Sequence, residues 1–248
     1  MSRSRFLDLS PGDTLLVVVA HPDDEAFGCG SALLLAADAG IRTVVACATR
    51  GEAGEPAVPL DGADLGEVRE RELRTSCAHL GVERVGVWAF ADSGLTGAPP
   101  AGSLAATAPD QLAQAVRRTV AGVAPDALLT LDASDGHRDH AAVRRASEHV
   151  GREEGLQTYL SCLPRSLMRR WADRMALSGG AEAYRALGEL GTPDDEITHV
   201  LDAGAVLERR EQAMAAHVSQ ASPYDGLPAD LRQDFLRSVR LRLVQADP

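Results

Sequence analysis

Short apolar runs alternate with amphipathic helical patterns along the chain. The runs with the length and composition of strands cover residues 14–20, 41–48, 85–90, 127–131, 158–163 and 197–201. Helical periodicity covers residues 31–37, 66–80, 111–123, 141–154, 166–190 and 205–217. This alternation is typical of βαβ units. It predicts an α/β fold in which helices flank a parallel sheet.

The chain of 248 residues has the length of one large domain. We expect residues 1–248 to form a single α/β domain, with residues 164–248 as a mostly helical portion packed on it. Small residues and prolines dominate positions 94–108, which predicts a mobile loop there. No internal repeat or low-complexity tract divides the chain.

Polar residues follow two of the predicted strands at the points where the strands end. Residues 21–25 read His-Pro-Asp-Asp-Glu and come directly after the first strand, which Pro22 stops. Residues 137–140 read His-Arg-Asp-His and come shortly after the fourth strand. Open parallel sheets bind ligands at the carboxyl ends of their strands, and buried polar groups need partners. Both segments therefore point to one catalytic site at that edge.

The donor atoms in these segments suit a catalytic metal. Such zinc sites use three nitrogen or oxygen ligands and leave one position for water. His21, Asp24 and His140 can supply that set, which leaves Asp23 and His137 beside the metal as acid–base groups. Zinc is favoured by these ligands, and iron(II) suits histidine and carboxylate as well.

A metal-bound histidine usually shares its second ring nitrogen with a carboxylate or carbonyl. Asp135 and Asp139 lie next to the second histidine pair, and either can take this role. Asp139 is our candidate for the carboxylate that orients a histidine ligand. The sequence leaves open which of the two aspartates orients which histidine.

Composition and charge exclude several kinds of partner and mechanism. The net charge of −11 repels a phosphate backbone or an anionic lipid surface, so we expect neither a nucleic acid nor a membrane as partner. The chain contains no lysine, which excludes Schiff-base chemistry and a phosphate-loop lysine. The four cysteines show no Cys-x-x-Cys spacing, which favours reduced thiols and a cytoplasmic location. Residues 15–20 are too short a run to span a membrane, so we expect no export.

The two polar segments also carry a family resemblance. Residues 20–25 (Ala-His-Pro-Asp-Asp-Glu) and 136–140 (Gly-His-Arg-Asp-His) resemble the paired signatures of the LmbE-like, or PIG-L, zinc-dependent deacetylases. Further similar segments are residues 49–52, 69–73, 80–82, 92–94 and 216–220. The resemblance implies a Rossmann-like sheet with its active site at the carboxyl ends of the strands. It also implies a zinc ion and hydrolysis of an N-acyl bond, usually the N-acetyl group of a glucosamine unit.

Residue roles follow from the same resemblance. It implies that His21, Asp24 and His140 bind the metal, that Asp23 is the general base and that His137 stabilises the oxyanion. Protonated His137 is our expectation for that step.

The resemblance extends to substrate contacts and contains one departure. Arg69 and Asp92 match positions that contact the sugar in relatives, which implies a small N-acyl amino sugar as partner. Arg138 stands where proline is frequent, which puts the rigidity and charge of the second loop in question. Glu25 is expected to support the turn, and His217 to be structural or to lie behind the site.

Two other functions stay open at this stage. One is an amidase that cleaves a larger N-acyl group or a thiol conjugate with the same metal site. The other is a metal-binding homologue without turnover, against which the presence of both Asp23 and His137 argues. Residues 28–33 lack the third glycine of a dinucleotide fingerprint, and no nucleophile-elbow motif occurs. The oligomeric state, monomer or homo-oligomer, is not determined by the sequence.

Overall fold

A seven-stranded sheet forms the centre of the computed structural model, which describes residues 6–177 and 189–244. The strand order is β3-β2-β1-β4-β5-β7-β6. The strands are β1 Thr14–Val19, β2 Arg42–Cys47, β3 Arg84–Val87, β4 Ala127–Leu131, β5 Gln157–Ser161, β6 His199–Asp202 and β7 Ser238–Leu243. Strands β1 to β5 pair in parallel, whereas β7 runs antiparallel to both β5 and β6.

Helices cover both faces of this sheet. They are α1 Asp24–Phe27, α2 Gly30–Asp38, α3 Leu65–His79, α4 Pro109–Val123, α5 Arg138–Glu153, α6 Arg165–Leu177, α7 Leu207–Ala215 and α8 Ala229–Leu236. Strand β1 is buried on both faces, as its unbroken apolar run predicts. Leu15 and Val17 contribute to one hydrophobic core with α2, α3 and α7, whereas Leu16 and Val18 contribute to another with α4 and α5.

The predicted fold class is confirmed, and the differences concentrate in the C-terminal third. Residues 164–248 do not only pack helices on the sheet, because they also add β6 and β7 to it. The sequence analysis missed β7 although Val239, Leu241 and Leu243 alternate with arginines in the two-residue period of a strand. It also missed α1 and α8. The predicted helix over 166–190 matches α6 up to residue 177, and residues 178–188 lie outside the described residues.

No helix among the described residues has both the length and the apolar character that crossing a membrane requires.

Candidate active site

The first histidine segment forms a tight turn between β1 and α1. Asp23 adopts φ 112°, a conformation that costs a residue other than glycine conformational energy. The turn is held from both sides, because the Asp23 amide donates to Glu25 Oε2 at 2.9 Å and the Phe27 amide donates to the Asp23 carbonyl at 2.8 Å. The strained residue is the one that the sequence analysis assigns to proton transfer.

The second histidine segment starts helix α5 after strand β4. His137 caps the helix, and its Nδ1 accepts a hydrogen bond from the Asp139 amide at 3.2 Å. In the neutral ring, therefore, the proton is on Nε2, which is free to donate. Arg138, at the position where proline is frequent in the family that the motifs resemble, extends outward and donates to the Gly97 carbonyl at 2.9 Å. The arginine side chain therefore connects α5 to the loop after β3.

The two segments meet because β1 and β4 are neighbours in the sheet. The ring centroid of His21 lies 4.7 Å from that of His137 and 5.3 Å from that of His140. One ring nitrogen from each of these three histidines lies within 4.8 Å of the others, a spacing that suits a shared metal ion. The structure thus brings together residues more than a hundred positions apart in the chain.

Asp24 lies between His21 and His140. Its Oδ2 accepts from the backbone amide of His21 at 2.8 Å and is 3.6 Å from His21 Nδ1. Its Oδ1 is 3.2 Å from His140 Nε2. Asp24 therefore contacts both of the histidines that are predicted as metal ligands, one with each carboxylate oxygen.

A separate carboxylate lies behind each of the two predicted histidine ligands. Asp139 Oδ2 is 3.2 Å from His21 Nε2, and Asp135 Oδ2 is 2.6 Å from His140 Nδ1. Both aspartates thus take the orienting role that the sequence left undecided between them. These contacts occupy the outer ring nitrogens and direct the inner ones, His21 Nδ1 and His140 Nε2, towards Asp24.

The donor set fits a divalent cation. His140 Nε2 is buried and lies 3.2 Å from Asp24 Oδ1 without a hydrogen bond of regular geometry, and a buried polar atom that lacks one is costly. It faces Asp24 in a setting of two oriented imidazoles and one carboxylate, the donors of a catalytic zinc or iron(II) site. A second group of metal-compatible spacing, His21, Asp92 and Asp139, uses the far side of His21.

Carboxylates around the histidines make the site strongly attractive to positive charge. Burial opposes protonation of His140, yet Asp24 and Asp135 outweigh it and raise the pKa to about 10. His137 behaves in the opposite way, because burial and the charges of His21 and His140 lower its pKa to about 4. The lowered pKa favours a neutral His137 ring that donates through Nε2–H, in place of the protonated ring expected from the sequence.

Asp23 is placed to exchange protons near neutral pH. Burial raises the pKa of its carboxyl group to about 7, although Arg69 opposes that rise. Arg69 Nη2 donates to Asp23 Oδ2 at 2.9 Å, and its Nη1 donates to the Gly51 carbonyl at 2.7 Å. A carboxyl group with a pKa near the working pH is suited to general base and acid steps.

The predicted sugar contacts line the β2–β3 side of the site. Arg69 is buried on α3 and contacts Asp23, while Asp92 follows β3 and has Oδ1 3.4 Å from His21 Nε2. The Asp92 amide donates to Glu52 Oε1 at 3.0 Å, which joins the two loops. Both residues therefore contact the predicted catalytic groups directly.

The sequence analysis did not find the ion pair that supports this turn from behind. His217 Nε2 is 2.6 Å from Glu25 Oε1, and both side chains are fully buried. Two residues later, Ser219 donates from its amide and its hydroxyl to Glu72 on α3, at 2.8 and 2.6 Å. The segment 216–220 resembles a recurring family element and could have drawn attention to His217 and Ser219. Its partners, Glu25 and Glu72, are so distant in the sequence that residue spacing does not identify them.

Comparison with known proteins places this geometry in a family. The family described as "PIG-L: GlcNAc-PI de-N-acetylase" matches residues 16–150, more than half of the chain and the part that holds both histidine segments. The chain belongs to the PIG-L family. This confirms the resemblance found in the motifs.

Several known proteins are similar to the chain over most of its length. A 1D-myo-inositol 2-acetamido-2-deoxy-alpha-D-glucopyranoside deacetylase from Geodermatophilus obscurus is 29% identical to the chain. The alignment covers 96% of this chain and 94% of the relative's length. A protein of the same name from Acidothermus cellulolyticus is 31% identical, over 84% of this chain and 79% of its own. A deacetylase of teicoplanin biosynthesis, crystallised as its bog complex, has a TM-score of 0.66 at 19% identity, covering 94% of this chain and 98% of its own.

Proposed function

We propose that the chain is a metal-dependent deacetylase that hydrolyses the N-acetyl group of a small N-acetylglucosamine-containing molecule. The observation that carries the proposal is that Asp24 contacts both His21 and His140, while the ring of His137 lies 4.7 Å from that of His21. The deacetylase names of the PIG-L relatives support the same reaction, and with it the enzyme class predicted from the sequence.

The residues divide the chemistry among them. His21, Asp24 and His140 would hold a divalent ion, which would lower the pKa of a bound water to about 7. Asp23 accepts the proton of the attacking water and returns one to the departing amine. His137 donates its Nε2–H to the carbonyl oxygen as negative charge develops there. Arg69 holds Asp23 in position through their ion pair.

Zinc is the metal we propose, and iron(II) is the alternative that the same donors admit. The substrate we propose carries its sugar near Arg69 and Asp92. A cytoplasmic location stays a prediction from the cysteines.

The test is amine release by metal-stripped protein after reconstitution with zinc or iron(II), using N-acetylglucosamine and its inositol glycoside. We expect no activity without metal and restored activity with it. Asp23→Asn should lower kcat by about 10²–10⁴ while metal content stays near one ion per chain. Asp225→Asn, an exposed aspartate, is the matched control. Full activity of the metal-free protein, or of Asp23→Asn, would refute the mechanism.

A further inference from the structure

A cavity of about 390 Å³ adjoins the candidate metal centre, and neither Arg69 nor Asp92 belongs to its lining. Asp24, His137 and His140 line its near end. Its far end is lined by residues of α6 and of the segments around it, among them Leu167, Met168, Trp171, Leu190 and Phe235. We call this space the apolar chamber. Its volume lies within the range of small-molecule sites.

The polar side chains in the chamber wall are largely engaged with the protein itself. Ser161 donates to the Gly28 carbonyl at 2.7 Å, and Arg210 donates from Nε to the Ala26 carbonyl at 3.2 Å. Arg210 also donates to the Phe27 carbonyl. A polyhydroxylated ligand finds few free partners here, and an apolar ligand loses none. The wall therefore favours hydrocarbon.

The strand order separates the chamber from the predicted sugar contacts. Arg69 and Asp92 belong to segments that follow β2 and β3, on one side of β1. The chamber is lined mainly by segments that follow β1, β4 and β5, by α6 to α8 and by β7. Leu95 also lines it and comes from the loop that holds Asp92. The amide of an N-acyl amino sugar carries the sugar on its nitrogen and the acyl chain on its carbonyl carbon. With that carbonyl at the metal and the sugar towards Arg69 and Asp92, the acyl chain points into the chamber.

We propose that the apolar chamber binds the acyl chain of the substrate, so that the enzyme also hydrolyses N-acyl glucosamines with medium-length chains, from butanoyl to octanoyl. This inference rests on the proposed function and names its substrate class more closely. The C–N bond of the amide breaks while water adds its hydroxyl to the acyl carbon. The products are a medium-chain carboxylic acid and a free amine, which takes up the other proton of water.

Chain length provides the quantitative test. A buried methylene contributes a factor of about four to binding in the transition state. For zinc-loaded full-length enzyme, we expect kcat/KM to rise by about fourfold per methylene from N-acetyl to N-butanoyl and N-hexanoyl glucosamine. A parallel series of N-acetylglucosamine alkyl glycosides, from methyl to octyl, should show no such rise. A fall in kcat/KM with acyl length overturns the proposal, and so does a rise confined to the glycoside series, because the chamber would then hold the aglycone.

Variants at the far end of the apolar chamber test whether the acyl chain binds there. Met168→Trp reduces the space, and we expect the ratio of kcat/KM for octanoyl over acetyl substrate to fall at least tenfold. Met168→Ala enlarges it and should move the preferred chain length upward. Val200→Trp and Val200→Ala, on the exposed part of β6, are the matched controls and should leave the ratio unchanged. Equal ratios in Met168→Trp and wild type overturn the placement.

A binding measurement separates this inference from the proposed function. The chain has two tryptophans, and Trp171 lines the chamber. In a Trp88→Phe background, octanoate should change the emission of Trp171, and acetate at the same concentration should not. If the enzyme releases no amine from any substrate but octanoate still changes Trp171 emission, the proposed function is wrong, whereas binding of an acyl chain in the chamber is supported. If N-acetyl substrates are hydrolysed and octanoate has no effect, the chamber proposal is overturned alone.

Discussion

The buried pair of Glu25 and His217 allows a sharp test of how the catalytic turn is stabilised. The pair has an N–O distance of 2.6 Å, and neither side chain is exposed to solvent. Removing one partner of a buried ion pair costs about 3–5 kcal/mol, because the other charge stays buried without compensation. His217→Leu should therefore lower the free energy of unfolding by about that amount. For a domain of this size, this corresponds to a fall in Tm of roughly 6–20 °C.

A double variant distinguishes the uncompensated charge from lost packing. Glu25→Gln removes the charge and keeps an oxygen that can accept from the Asp23 amide. Glu25→Gln/His217→Leu should be more stable than His217→Leu alone, because it leaves no buried ion. Urea denaturation followed by circular dichroism measures the three variants. His79→Gln, at an exposed histidine, should stay within about 0.5 kcal/mol of wild type. A double variant less stable than His217→Leu would refute the reasoning.

The same pair sets the sign of a pH dependence. Burial opposes the charge on His217, but Glu25 outweighs it and raises the pKa of the imidazole above its usual 6.5. The stabilisation is therefore complete below about pH 6.5, where both folded and unfolded forms are protonated, and is lost as the pH rises through the folded pKa. The difference in unfolding free energy between wild type and Glu25→Gln/His217→Leu, which has neither ionisable group, should shrink from pH 6 towards alkaline pH. A difference that grows with pH would contradict this assignment.

Three further outcomes follow from other contacts. Asp135→Asn should weaken metal binding about 10–100-fold in equilibrium dialysis, since the carboxylate orients a ligand histidine; unchanged affinity would contradict that role. Gly51→Ala should lower activity and stability more than Gly97→Ala, although both glycines have positive φ. A Cβ on Gly51 would lie 2.4 Å from the Arg69 guanidinium carbon, whereas a Cβ on Gly97 would meet nothing within 4 Å. Equal losses would exclude the contact with Arg69. The four cysteines are buried, so a thiol reagent should label the native protein far more slowly than the unfolded one, and rapid native labelling would contradict this.

The elements that the sequence predicted well are those with strong local signals. The apolar run of β1 and the turn residues that stop it lie next to each other, and the proposed metal ligands His21 and Asp24 are three positions apart. Parallel pairing of neighbouring strands then brings His140 to the same edge, a consequence of fold class alone. For these reasons the fold and the centre of the candidate site were accessible without coordinates.

The features that were missed depend on distant contacts or on exact geometry. Glu25 and His217 are 192 positions apart, and nothing in either local pattern names the other. The proton position on His137 depends on a hydrogen bond from the Asp139 amide, which composition does not reveal. The division of labour between the two orienting aspartates required the directions of the imidazole rings.

The position of β7 has a consequence for the order in which the molecule can be completed. Residues 238–243 form the strand between β5 and β6, so β6, made about forty positions earlier, has no neighbour in the sheet until this last strand arrives. During vectorial synthesis the five parallel strands can assemble first, while the ribosome still holds β7. Since Val239 and Arg240 also line the apolar chamber, its wall stays incomplete until β7 has been made. A nascent chain stalled before residue 238 should therefore have the proposed metal ligands in place and lack part of the chamber wall.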